Sequence, residues 1–125
     1  MNVYEPQALA LVAKHEVEQM QAASDSFFCL SLPKHKDPSR VILKKINGQD
    51  LHLRRGSDCW KTPKGFLLLI NSYDKTGADS VKIIIELDDM NLNNAHVVTR
   101  LRQSTYELQL TKQGWEIKSF EMKSL

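Results

Sequence analysis

Apolar and polar residues alternate with two different periods along this chain, and the change of period divides it. Over 5–22, Leu9, Ala13, Val17 and Met20 recur every three or four residues, which predicts a helix with one apolar face. Pro6 suits its first turn, and the pattern points Glu16 and Glu18 away from that face. "FFCLSL" is short, apolar and aromatic-led, so it reads as a buried strand. In "KDPSRVILKKING", Asp37 is a helix cap, Pro38 the first helical residue and Asn47-Gly48 the stop. A short second helix over 38–47 is therefore expected, buried through Val41, Ile42, Leu43 and Ile46. "LHLRRGSDCW" alternates Leu51 and Leu53 with His52 and Arg54, as an edge strand does.

From Phe66 onwards the period is two. "GFLLLINSYD" and "SVKIIIELDD" read as strands joined through "DKTGAD", a hairpin loop holding Gly77. Val81, Ile83, Ile85 and Leu87 share one face of the second, with Lys82 and Glu86 opposite. "HVVTRLRQSTYELQL" is a long strand whose apolar phase runs through Val97 and Leu101, then shifts to Tyr106, Leu108 and Leu110. A phase shift of one residue signals a bulge. "GWEIKSFEM" pairs back through Lys112 to Gly114. Its phase shifts again, with Trp115 and Ile117 expected on one side and Phe120 and Met122 on the other. The expected fold is α+β: an N-terminal helix and a short second helix packed on a curved antiparallel meander sheet.

Composition narrows this picture modestly. At 125 residues the chain suits one domain, 1–125, and no internal repeat divides it. Hydrophobic residues make up 42% and charged residues 26%, so a packed core is expected. A net charge of +2 without a basic cluster gives no reason to expect nucleic acid as a partner. No apolar run reaches 18 residues, and the first residues lack a basic segment, so the expectation is a cytoplasmic chain outside the membrane. Two cysteines, Cys29 and Cys59, are then expected as buried, reduced thiols, with a disulfide as the alternative.

The closing "YELQLTKQGWEIKSFEM", the amphipathic first helix and the bulged meander together resemble the nuclear-transport-factor-two-like fold. In that fold a cone of helices lies on a bent antiparallel sheet. A cystatin-like arrangement, one helix wrapped by a meander, fits the same order. Members of the first fold include dehydratases, isomerases, transport adaptors, dimerisation modules and immunity proteins of bacterial toxin systems. The resemblance implies a back wall that lines a small-molecule pocket or forms a protein-binding face. Fold alone does not choose between them.

The candidate chemistry is sparse. Cys29, His35, His52 and Cys59 are ligand types that suit zinc, but their spacings match no zinc signature, so no metal is expected. Tyr106 and His96, with Asp58 as an orienting carboxylate, are the residues for an acid–base site. The plainer reading makes Tyr106 a core residue with its hydroxyl at the rim. Arg54 and Arg55, with Arg100 and Arg102, would form a four-arginine patch if their strands were neighbours. Arginines on exposed strand faces are the plainer reading. The loop residue Trp60 is a candidate binding anchor. Glu86, Asp88 and Asp89 are a candidate acidic patch for a partner.

The reading that follows is a non-enzymatic protein-binding domain without cofactor. Its most concrete form is a small bacterial immunity or inhibitor protein that covers a toxin domain. The alternative is a small-ligand-binding or dehydratase/isomerase-like protein with an internal pocket, and a third reading is a homodimer packed sheet to sheet.

Overall fold

The computed structural model describes residues 6–20, 27–32, 45–46, 49–55, 65–89 and 99–125; for β2 and β3 it describes the backbone alone. The elements run α1 (Pro6–Met20), β1 (Phe27–Leu32), β2 (Lys45–Ile46), β3 (Gln49–Arg55), β4 (Phe66–Gly77), β5 (Ser80–Asp89), β6 (Thr99–Thr111) and β7 (Gly114–Ser124). They form one helix and one seven-stranded sheet of order β2-β3-β1-β4-β5-β6-β7. β1 runs parallel to both β3 and β4, and every other pair is antiparallel. The fold is α+β, with the expected four-strand meander in β4–β7.

α1 lies against the sheet through Ala8, Leu9, Val12, Ala13 and Val17, which are buried with Phe28, Leu30, Leu68, Ile70, Val81, Ile83, Ile85, Leu87, Tyr106 and Leu108. The register explains this set. Cross-strand partners share a face, and Leu68↔Leu87, Ile70↔Ile85, Ile83↔Tyr106 and Val81↔Leu108 are partners. Each fully buried aliphatic or aromatic side chain contributes about 1.5–3 kcal/mol, so this face holds the helix down. Among the described side chains the opposite face is buried too towards β1, β4 and β5, where Cys29, Leu67 and Asp88 form one cross-strand row.

Four extra residues break the ladder. Asn71 and Thr76 are the additional residues in β4, Leu101 in β6 and Lys118 in β7. The bulges in β6 and β7 lie where the apolar phase shifts. Their effect in β7 corrects the expected facing. Leu110↔Trp115, Leu108↔Ile117, Tyr106↔Phe120 and Ser104↔Met122 are partners, so all four β7 side chains share the helix-facing side. The extra residue absorbs the shift and keeps the apolar face continuous.

Both hairpins turn tightly. β4 extends through most of the expected loop, leaving Ala78 and Asp79 as the turn. At the second hairpin Lys112 and Gln113 are the turn, and Gly114 has φ of 112°, a conformation side chains disfavour. Thr111 Oγ1 accepts from the Gln113 amide at 3.2 Å and donates to the Gly114 carbonyl at 3.0 Å. The first turn is tied to β6, since the Leu110 amide donates to the Asp79 carbonyl at 2.7 Å.

Three expectations change. Lys45 and Ile46, assigned to the second helix, are strand and pair with Asp50 and Gln49. Two residues, Asn47 and Gly48, separate these strands, and Asn-Gly is the strongest short hairpin signal. The rest of that stretch, with the Asp37 cap, lies outside the described residues. β3 lies between β2 and β1 rather than at the edge. Cys29 is disulfide-bonded, not a free thiol; Cys59, the chain's other cysteine, lies outside the described residues. Denatured without reductant, the chain is therefore expected to show no titratable thiol, and two after reduction. Two thiols before reduction would contradict the bond.

Candidate functional site

Two polar clusters built on buried carboxylates lie on opposite faces of the sheet, and an apolar strip lies at its β7 end. The first cluster joins α1 to β6. Glu16 lies seven residues after Leu9 and three after Ala13, which places it on the buried helix face, and it is only 1% exposed. This corrects the expectation that it points away. Arg102 answers it with Nε on Oε2 at 3.0 Å and Nη2 on the Glu16 carbonyl at 2.8 Å. Tyr106, 0% exposed, donates its hydroxyl hydrogen to Glu16 Oε1 at 2.5 Å. Its oxygen then accepts from His15 Nδ1 at 2.7 Å, which fixes the imidazole hydrogen on that nitrogen. The His15 ring meets Phe120 edge-on at 4.7 Å. Burial first, then donation to Glu16 and its charge, push the Tyr106 phenol far above its usual range. It stays a neutral donor.

The second cluster faces the other way. Glu86 and Asp88 are two apart on β5 and share a face, with Asp88 opposite Arg100. Arg100 Nη2 donates to Glu86 Oε1 at 2.8 Å, and Asn71 Nδ2 approaches the same oxygen at 3.5 Å. Asp88 is only 4% exposed and its Oδ1 has no partner. Burial, then the hydrogen bond to Glu86 and the charge of Glu86, raise the Asp88 carboxyl to about 7. Burial raises Glu86 as well, but hydrogen bonds from Arg100, Asp88 and Asn71, with the Arg100 charge, outweigh it and lower its pKa. Two carboxyls driven apart in this way share one proton near neutrality.

The arginine patch does not form. β1, β4 and β5 lie between β3 and β6, so Arg54 and Arg55 are about 19 Å from Arg100 and Arg102 at the usual strand spacing. The bulge residue Leu101 also turns Arg100 and Arg102 to opposite faces: one pairs with Glu86, the other with buried Glu16. Glu86 and Asp88 are buried rather than a presented acidic patch, and Asp89 is half-buried. The Tyr106 hydroxyl is interior, not at the rim. Of its expected acid–base partners, Asp58 and His96 lie outside the described residues, as does Trp60. The bonded Cys29 supplies no thiolate for zinc; His35 and Cys59 lie outside the described residues.

The apolar strip runs along the helix-facing side of β6 and β7 and is partly covered by α1, whose His15 packs on Phe120. Leu110 is 41% and Met122 51% exposed, and Trp115, Ile117 and Phe120 are half-buried beside them. No family model matches the chain, and neither the curated proteins nor the solved structures yield a match.

Two outcomes are expected. Tyr106→Phe strands a buried Glu16 oxygen and the His15 hydrogen, so it should cost about 1–3 kcal/mol, read from the denaturant midpoint. An unchanged midpoint would contradict the hydrogen bonds. The second outcome concerns pH. A carboxyl raised from 3.8 to about 7 binds its proton more tightly in the folded chain. Its stabilisation is complete below the lower value and is lost as pH rises to the upper one. Wild type should therefore lose this contribution from about pH 4 to about pH 7, by at most about 1.4 kcal/mol for each pH unit crossed. Asp88→Asn should flatten that slope. A wild-type midpoint independent of pH would contradict the shared proton.

Proposed function

We propose that the chain is a protein-binding domain and that the strip of Leu110, Trp115, Ile117, Phe120 and Met122 is its docking face. One observation carries the reading: these side chains share one face by register and stay partly or largely exposed, while the polar groups of the same face bind one another. Scattered apolar residues on a surface need no explanation, but a continuous strip at the open end of a sheet marks a contact site. The occupant fitting it is a protein surface with methyl or ring groups at its centre.

The interior supports binding over catalysis. Tyr106, Glu16 and Arg102 spend their hydrogen bonds on each other, and the tyrosine is closed off. An inhibitor or immunity protein that covers a toxin domain is the narrower form of this reading, and it rests on the fold resemblance. Among the described residues no helix is long and apolar enough to cross a membrane. The disulfide at Cys29 supports an oxidising working environment over the reducing cytoplasm.

A second reading, a small-ligand or dehydratase-like protein, is favoured by the Glu86–Asp88 pair, whose proton exchanges near neutral pH. The two readings part under mutation. Leu110→Asp puts a charge into the strip without touching either cluster. Affinity capture from native extract should hold a partner on wild type and on Asp88→Asn, and lose it at least tenfold on Leu110→Asp, with thermal stability unchanged. A partner held equally by all three would contradict the docking face.

A further inference from the structure

Among the described strands β7 is the last of the sheet, so none of them lies along its outer side, which carries backbone donors and acceptors. Glu116, Lys118, Glu121 and Lys123 lie on this strand and are all exposed. Their order along the strand is Glu, Lys, Glu, Lys. A strand with that order, turned antiparallel to itself, can set every charge opposite its complement. We propose that the β7 edge pairs antiparallel with the β7 edge of a second copy, joining two sheets across a two-fold axis.

The register follows from the side chains. With Ser119 opposite Phe120 at the axis, Glu116 faces Lys123 and Lys118 faces Glu121, and the symmetry makes each pair twice. Ile117 faces Met122 in the same register, and both lie on the helix-facing side. Glu116 and Lys123 both lie on the opposite side, so facing agrees on each flank. Ser119 and Phe120 themselves lie on opposite faces, so the mismatch of facing is confined to the axis, next to the bulge at Lys118.

Neighbouring registers fail on charge or facing. A slip of two residues sets Glu116 against Glu121 in one direction and Lys118 against Lys123 in the other, as the sequence shows. Like charges directly opposite destabilise a strand pair. A slip of one sets Ile117 against Glu121 or against Lys123, which lie on the other face. The same charges that keep an exposed edge from pairing at random therefore select one partner, a second copy of this strand. The joined sheets would carry the two apolar strips side by side on one face.

Charge reversal tests this directly. Lys118→Glu with Lys123→Glu gives a strand with four glutamates, and Glu116→Lys with Glu121→Lys gives one with four lysines. Each variant opposes like charges in the proposed register, while the two together restore every pair. In sedimentation equilibrium at low salt, wild type should be a dimer, each variant alone a monomer, and the equimolar mixture a dimer of one copy of each. Circular dichroism checks the fold, which exposed substitutions should leave intact. Wild type sedimenting as a monomer would overturn the proposal without recourse to the variants. So would variants that dimerise alone as well as wild type does.

Discussion

The buried carboxylate on the inner face, Glu16, holds the molecule's arrangement together. It lies under α1 with the core residues around it, and an uncompensated charge there would be strongly unfavourable. Arg102 balances the charge and also caps the Glu16 carbonyl, while Tyr106 takes the second oxygen. All the bonds run from the helix to β6, far away in sequence. They orient α1 in a way that apolar contacts, which are non-directional, do not. The same bonds occupy the polar groups of the inner face. On the proposed reading, what that face offers a partner is the apolar strip along β6 and β7.

The bulges decide which side chains serve which face. Leu101 separates Arg100 from Arg102, so one arginine closes the interior and the other steadies the Glu86–Asp88 pair. Lys118 brings Phe120 and Met122 onto the side of Ile117 and Trp115. Without that extra residue the strip would be divided between the faces. Two inserted residues thus produce both the closed interior and the continuous surface.

Much of the local structure is legible in the sequence. The helix, the meander, the Gly114 turn and the two phase shifts follow from periodicity and turn chemistry. The parallel pairing of β1 with β3 and β4 is not, because it joins segments with no local signal for adjacency. Asn47-Gly48 reads equally as a helix stop or a hairpin turn; the flanking Lys45 and Ile46 pair as strand with Asp50 and Gln49. Glu16 is visible in principle, at helical spacing from Leu9 and Ala13. It escapes a reading by residue type because a charged residue is ordinarily assigned to solvent, and its partner lies 86 residues on. The expected four-arginine patch depends on two strands being neighbours, which no local pattern reports.

Glu16 and Arg102 act on each other and thereby close the inner face. A double-mutant cycle tests this most directly, with Glu16→Gln, Arg102→Met and the double variant compared by denaturant unfolding. Each single change is expected to destabilise the fold by about 3–5 kcal/mol, since each leaves a buried charge or polar group unmatched. The double variant should recover about 2–3 kcal/mol of the sum. Single effects that add to within about 0.5 kcal/mol would contradict the coupling, leaving Glu16 and Arg102 as independent groups.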